Sequence, residues 1–236
     1  MNTYERDGHV GDILTADGQW LDADFVRKYA EFESSGSNKF EQKVNGQSIL
    51  DMIPPSAQTI LDFGCGNGYF GEKIATTLQK KVFGHDIAEE MRQIASQKIE
   101  VLERWQLADC KFDAIIMKLM LHYVPNIDEL FAELRGYLSD TGSIIVSMPN
   151  PQRTAASENR RLDETWTYTN KIAGQDDLVC MMIHRPFGAV IDEFGKNGLY
   201  LEKFEELVDR TDGRTDILPK RVNFRVGTPF GMQERF

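Results

Sequence analysis

Three glycines and two acids carry the most readable chemistry in this chain. The run Thr59-Ile60-Leu61-Asp62-Phe63-Gly64-Cys65-Gly66-Asn67-Gly68-Tyr69-Phe70 passes from an apolar segment through a glycine loop into a helical pattern. Glycine lets the backbone turn sharply and approach a ligand closely, because no β-carbon stands in the way. The helix that follows offers unpaired N–H groups, which favour an anionic group such as a carboxylate. Asp86 closes the next apolar run, 18 residues beyond Gly68. An acid placed there accepts hydrogen bonds from both hydroxyls of a ribose. Loop and acid together point to a nucleoside; the plainer alternative is a tight turn and a helix cap. A dinucleotide fits poorly, because the third glycine comes one residue early for G-x-G-x-x-G. Asp62 would also repel a pyrophosphate, whereas it suits an ammonium or sulfonium group.

Two histidines are candidate bases. His122, followed by Tyr123, lies just past an apolar run, and His184 follows Cys180-Met181-Met182-Ile183. Imidazole is the natural base near neutral pH. Each is either aimed at an acceptor or bonded to backbone at the sheet rim. His85 reads as packing, and His9 receives no role. Trp166 and Tyr168, with Met181 and Met182, line an apolar acceptor pocket, close over a cationic amine, or pack beneath a long loop. Cys65 reads as a small residue that fits the loop. With Cys110 and Cys180 it makes three cysteines and no C-x-x-C. Neither a disulfide framework nor a metal site is expected.

The elements that must position these groups alternate. Apolar runs at 59–63, 81–85, 114–117 and 143–148 are separated by amphipathic stretches, the signature of a parallel sheet covered on both faces. Such a sheet binds ligands beyond the carboxyl ends of its strands. A helix is expected from Asp22 or Asp24 to about Phe32, a Ser34–Ser37 break, and a second helix over 38–53 stopped by Pro54-Pro55. Residues 150–183 are polar with little periodicity and read as a lid or binding loop. A helix over 186–197 and strands over 199–208 and 221–226 complete the chain. Residues 1–21, with Gly8, Gly11 and Gly18, read as a loose lead-in. The expected division is 1–53 as lead-in and cap helices and 54–236 as one domain carrying the lid.

Composition narrows the class. Of 236 residues, 41% are hydrophobic and 27% charged, which excludes wholesale disorder. The net charge of −10 argues against a nucleic-acid partner. No apolar run reaches the roughly 18 residues of a membrane span, and the first residues lack an apolar, cleavable signal. A cytoplasmic protein is expected, with its oligomeric state left open.

The loop resembles motif I of the class I S-adenosylmethionine-dependent methyltransferases, which reads roughly aliphatic-L-D-x-G-C-G-x-G. Val82-Phe-Gly-His-Asp86-Ile-Ala-Glu-Glu-Met91 is similar to the family's second motif. Phe112 to Pro125 looks like its fourth strand and exit, Leu138 to Val146 like the glycine turn into the fifth, and His184-Arg185-Pro186 with Asn197-Gly198-Leu199 like a segment of the small-molecule branch. The resemblance implies an α/β fold: a doubly wound, mostly parallel, seven-stranded Rossmann-like sheet with helices on both faces, an antiparallel last strand and a lid after strand 5. It implies S-adenosyl-L-methionine as cofactor and methyl transfer to a small-molecule acceptor. The alternatives are other group transfer from the sulfonium, or a non-catalytic nucleoside-binding module. By the resemblance, Asp62 and the backbone of Gly64, Cys65, Gly66 and Gly68 hold the aminocarboxypropyl arm. Asp86 takes the ribose, Ile87 and Met91 flank the base, Met117 and Lys118 contribute near the sulfonium, and Tyr29 closes over the cofactor. The segment from Met91 to Asp113 is shorter than the family's, which places the third strand at 99–103. Glu103 then falls nearest the adenine-reading place, with Trp105 as a stacking partner, or else Glu103 is solvated and Trp105 packed.

Overall fold

Runs of aliphatic residues buried on both sides build the sheet. The structure, a computed structural model, describes residues 19–34, 40–171, 179–209 and 218–229. The expected lead-in glycines and His9 lie outside them. Helix α1 spans Ala23–Ser34, and Asp22 caps it, its Oδ1 accepting from the Phe25 amide at 2.9 Å. A π-helical turn, Glu41–Asn45, runs into α2, Gly46–Met52. Strand β1 (Thr59–Phe63), helix α3 (Tyr69–Leu78), strand β2 (Lys81–His85), helix α4 (Glu89–Ala95) and strand β3 (Glu100–Val101) follow. Next come α5 (Arg104–Leu107), β4 (Phe112–Lys118), α6 (Ile127–Tyr137), β5 (Leu138–Pro149) and α7 (Pro151–Glu158). The chain continues through β6 (Trp166–Lys171), β7 (Val179–His184), α8 (Phe187–Lys196), β8 (Tyr200–Leu207) and β9 (Arg221–Gly227).

Seven strands pair in the order β3-β2-β1-β4-β5-β9-β8. The first five run parallel, and β9 is antiparallel to both β5 and β8. Successive residues alternate between the two faces. Leu61, Ile115 and Ile144 join Phe131, Phe194 and Phe224 on one face, while Ile60, Ile116 and Ile145 join Ile49, Met52 and Ile74 on the other. Helix α2 therefore shares a hydrophobic cluster with β1, and the expected boundary at 53/54 falls inside that cluster. The short link after Met91 is met by a seven-residue α4 and a two-residue β3.

The segment 150–183 departs from its sequence reading. Its described residues form α7 and an antiparallel β6–β7 pair in which Trp166 faces His184 and Tyr168 faces Met182, and 172–178 lie outside the described residues. Asn150 starts α7, its side chain accepting from the Gln152 amide at 2.9 Å with Pro151 in the first turn. A polar helix and a strand pair with one exposed face leave little apolar period to read. No helix among the described residues is long and apolar enough to cross a membrane.

Candidate functional site

The chain leaves β1 and turns through Gly64, Gly66 and Gly68 at φ of 77°, 53° and 76°. These left-handed values suit glycine and are strained for other residues. The loop is tied to the end of β2, with the Gly64 and Cys65 amides donating to the His85 carbonyl at 2.8 and 3.0 Å. Asp86 fixes the next turn: Oδ2 accepts from the Gly66 amide at 2.8 Å and Oδ1 from the Ala88 amide at 3.0 Å. Burial pushes the Asp86 carboxyl up, and these two bonds act against that shift. Each carboxylate oxygen retains a second acceptor direction for an incoming hydroxyl.

Two cavities meet at this loop, and a third adjoins them. The first is lined by Gly64, Gly66, Asp86, Ile87 and Met91, under Trp20, Tyr29 and Tyr123. Those three rings form a cover, with Trp20 4.9 Å from Tyr29 and 5.1 Å from Tyr123, edge to face. The second is more polar and takes in Asp62, Cys65, Asn67, Glu41 and Lys73. Lys118 borders both. The third, about 360 Å³, opens toward α7 and the start of β9 and contains His122 and Tyr168. Tyr29 and Leu119 border all three. Leu119 has φ of 56°, an uncommon conformation for a bulky residue, held by its amide bond to the Ser147 carbonyl at 2.9 Å.

The cavities bring together most of the residues singled out from sequence and leave others aside. Asp62, Gly64, Cys65, Gly66, Asp86, Ile87, Met91, Lys118 and Tyr29 all border the first two. Gly68 shapes the loop from outside them, capping α3. Met117 is wholly buried in the core cluster beneath the sheet. Glu103 sits elsewhere: it caps α5 in a capping box with Gln106 and bonds Arg92 at 3.2 Å. Arg92 in turn donates to the Asp86 and Ile87 carbonyls at 2.8 Å each, so Glu103 reaches the site only through Arg92. Trp105 is 74% exposed and stacks on no ring among the described residues.

The histidines divide sharply. His184, expected to face an acceptor, has Nδ1 3.0 Å from the Glu164 carbonyl and Nε2 3.2 Å from the Pro151 carbonyl. Its ring stacks on Trp166 at 4.4 Å and borders none of the three cavities. Trp166 donates to the Arg161 carbonyl at 2.9 Å, so the pair pins β6 and β7 to α7. His184→Ala is therefore expected to lower unfolding free energy by about 2 kcal/mol while cofactor affinity stays unchanged. Urea titration and calorimetry check this; lost turnover with stability intact would return His184 to the reaction.

His122 does border the third cavity, buried at 4% exposure with Nδ1 lacking a hydrogen-bond partner among the described residues. Burial, then the Arg221 and Arg185 charges, lower its pKa to about 3. The unfolded chain takes up that proton near pH 6.5, so the folded state's stability is full above 6.5 and falls as pH drops toward 3. His122→Gln is expected to flatten that acid-side slope by about 1.4 kcal/mol per pH unit. Denaturant titrations at several pH values check this, and identical slopes would count against it.

Arg185, and the cations Arg153, Lys220 and Arg221 that line the third cavity, were given no role from the sequence. Arg185 is 5% exposed and donates to the Leu121, Val124 and Pro125 carbonyls, pinning the turn that carries His122. The one available signal was an arginine wedged between a strand end and Pro186.

Comparison with known proteins agrees with this geometry. The methyltransferase-domain family model matches residues 37–195. The chain is 24% identical over 220 residues to the malonyl-[acyl-carrier protein] O-methyltransferase of Legionella pneumophila, covering 84% of this chain and 73% of that one. It is 26% identical over 125 residues to a bifunctional biotin-biosynthesis protein of Saccharophagus degradans, spanning 48% of this chain and 22% of the relative. The fold matches a crystal structure of a putative S-adenosylmethionine-dependent methyltransferase from Listeria monocytogenes with a TM-score of 0.62 and 21% identity. That match covers 79% of this chain and 99% of the other.

Proposed function

Because the chain belongs to the S-adenosylmethionine-dependent methyltransferase family, we propose that its three joined cavities hold the methyl donor and a small-molecule acceptor side by side. The observation that carries this reading is the loop geometry. Gly64 and Gly66 turn the backbone left-handed against a cavity whose far side is Asp86, Ile87 and Met91. Asp62, 1% exposed, borders the adjoining polar cavity. A nucleoside with a cationic amino-acid arm fits that set. Asp86 accepts from the ribose hydroxyls, and Ile87 and Met91 enclose the base under Trp20, Tyr29 and Tyr123. Asp62 offsets the ammonium, while Lys73, Lys118 and the loop amides take the carboxylate. A pyrophosphate would meet Asp62, Asp86 and Glu41, three repelling carboxylates.

When bound, the donor supplies an already activated methyl carbon, so the protein's part is alignment and exclusion of water. Tyr29 borders both donor and acceptor cavities and sets the boundary between them. Leu119 is held in its strained conformation at the same junction. Trp20, Tyr29 and Tyr123 cover the donor, while Tyr168 of β6 and Met182 of β7 line the acceptor cavity. Calorimetry with S-adenosylhomocysteine and with NAD tests the reading: tight binding of the first and none of the second is expected, and the reverse would end it.

A further inference from the structure

The third cavity has features that donor binding leaves unexplained. Arg153 from α7, and Lys220 and Arg221 at the start of β9, converge there with a single lining carboxylate, Glu158. This cationic group sits on a chain of net charge −10. Cations collected in a concave, partly dry site focus a field that draws in anions. Their positions are fixed from behind. Arg221 pairs with Glu41 at 2.7 Å, Lys220 with Asp209 at 2.8 Å, and Arg153 donates to the Leu218 carbonyl at 3.2 Å. Arg221 also donates to the Lys220 carbonyl at 3.0 Å, and a guanidinium has five donors in all. Among the described residues, Arg221 Nε is buried without a hydrogen-bond partner, and so is Nδ1 of His122. Both atoms belong to residues that line the cavity. Phe32, Tyr168 and Met182 supply an apolar wall opposite.

We propose that this cavity takes a small carboxylic acid with an apolar body, and that a carboxylate oxygen is the methylated atom. The proposal rests on the methyltransferase reading above. A carboxylate oxygen lone pair forms the new O–CH3 bond as the C–S bonding pair returns to sulfur. The products are a methyl ester and the neutral thioether, with no proton to remove. That balance suits the site. An imidazole lowered to about 3 is too weak a base to strip an alcohol or an ammonium, whereas a carboxylate is already ionised near neutral pH. His122 is then a positioning residue that offers a hydrogen bond in its neutral form.

The test uses the whole protein with S-adenosylhomocysteine bound, titrated calorimetrically with phenylacetate, cinnamate and hexanoate and with their primary amides. At least one acid is expected to bind about 10-fold or more tightly than its amide. Arg153→Gln is expected to erase the difference and Arg153→Lys to restore part of it, with S-adenosylhomocysteine affinity unchanged in both. With methyl-tritiated donor, the preferred acid is expected to give base-labile label that distils as methanol. Acids and amides behaving alike, whether both bind or neither does, overturns the cavity assignment. An acid that binds without being esterified, or label found only in base-stable products of amines, phenols or thiols, overturns the methylated atom. Failure to bind S-adenosylhomocysteine overturns the underlying reading instead.

Discussion

Asp86→Ala is expected to weaken S-adenosylhomocysteine binding roughly 100-fold and to lower stability by about 3 kcal/mol. The substitution strips the acceptor from two backbone amides, Gly66 at 2.8 Å and Ala88 at 3.0 Å, on either side of the ligand. A buried donor left unpaired costs about 1–3 kcal/mol, and the loop it shaped then relaxes away from the nucleoside. Ribose hydroxyls lose their partner in the same stroke. Asp86→Asn keeps one acceptor oxygen and is expected to fall between. Calorimetry with urea denaturation separates the effects: stability lost with affinity intact would make Asp86 a loop staple alone.

Gly68→Ala is expected to be at least as damaging to the fold. Gly68 has φ of +76°, and a β-carbon there would stand 2.9 Å from Ala95 Cα and 3.0 Å from Ala95 Cβ. Left-handed backbone costs an alanine about 1–2 kcal/mol. The contact falls on the backbone of α4, which cannot rotate aside as a side chain would, so a total near 4 kcal/mol is expected. Gly195→Ala in α8 is the control. A β-carbon there meets nothing within 4 Å, and a gain of about 0.5–1 kcal/mol is expected from better helix propensity. Urea midpoints decide; a neutral Gly68→Ala would show that α3 and α4 slide apart freely.

The parts of this fold legible in sequence are those with local causes. Ile60-Leu61, Ile115-Ile116 and Ile144-Ile145 are buried on both faces, and such pairs announce parallel strands. The glycine loop and Asp86 announce their site because backbone geometry demands those residues. What stayed hidden was decided at a distance. Nothing near Glu103 in the chain reveals that Arg92 ties it to the Asp86 carbonyl. His184 looks like His122 on the page, yet one lies between two carbonyls and the other beside a cavity. Arg153 and Arg221 stand 68 positions apart and meet only when β9 inserts beside β5. The π-helical turn that presents Glu41 to Arg221 leaves no trace in the hydrophobic period at all.

Tyr29 on α1 and Arg221 on β9 both lie outside residues 37–195, the portion shared with the wider family. The loop and Asp86 thus come from the common middle, while the N-terminal part covers the donor cavity and both ends line the third one. Exchanging those ends between relatives would therefore alter the wall of the third cavity while leaving the glycine loop and Asp86 in place.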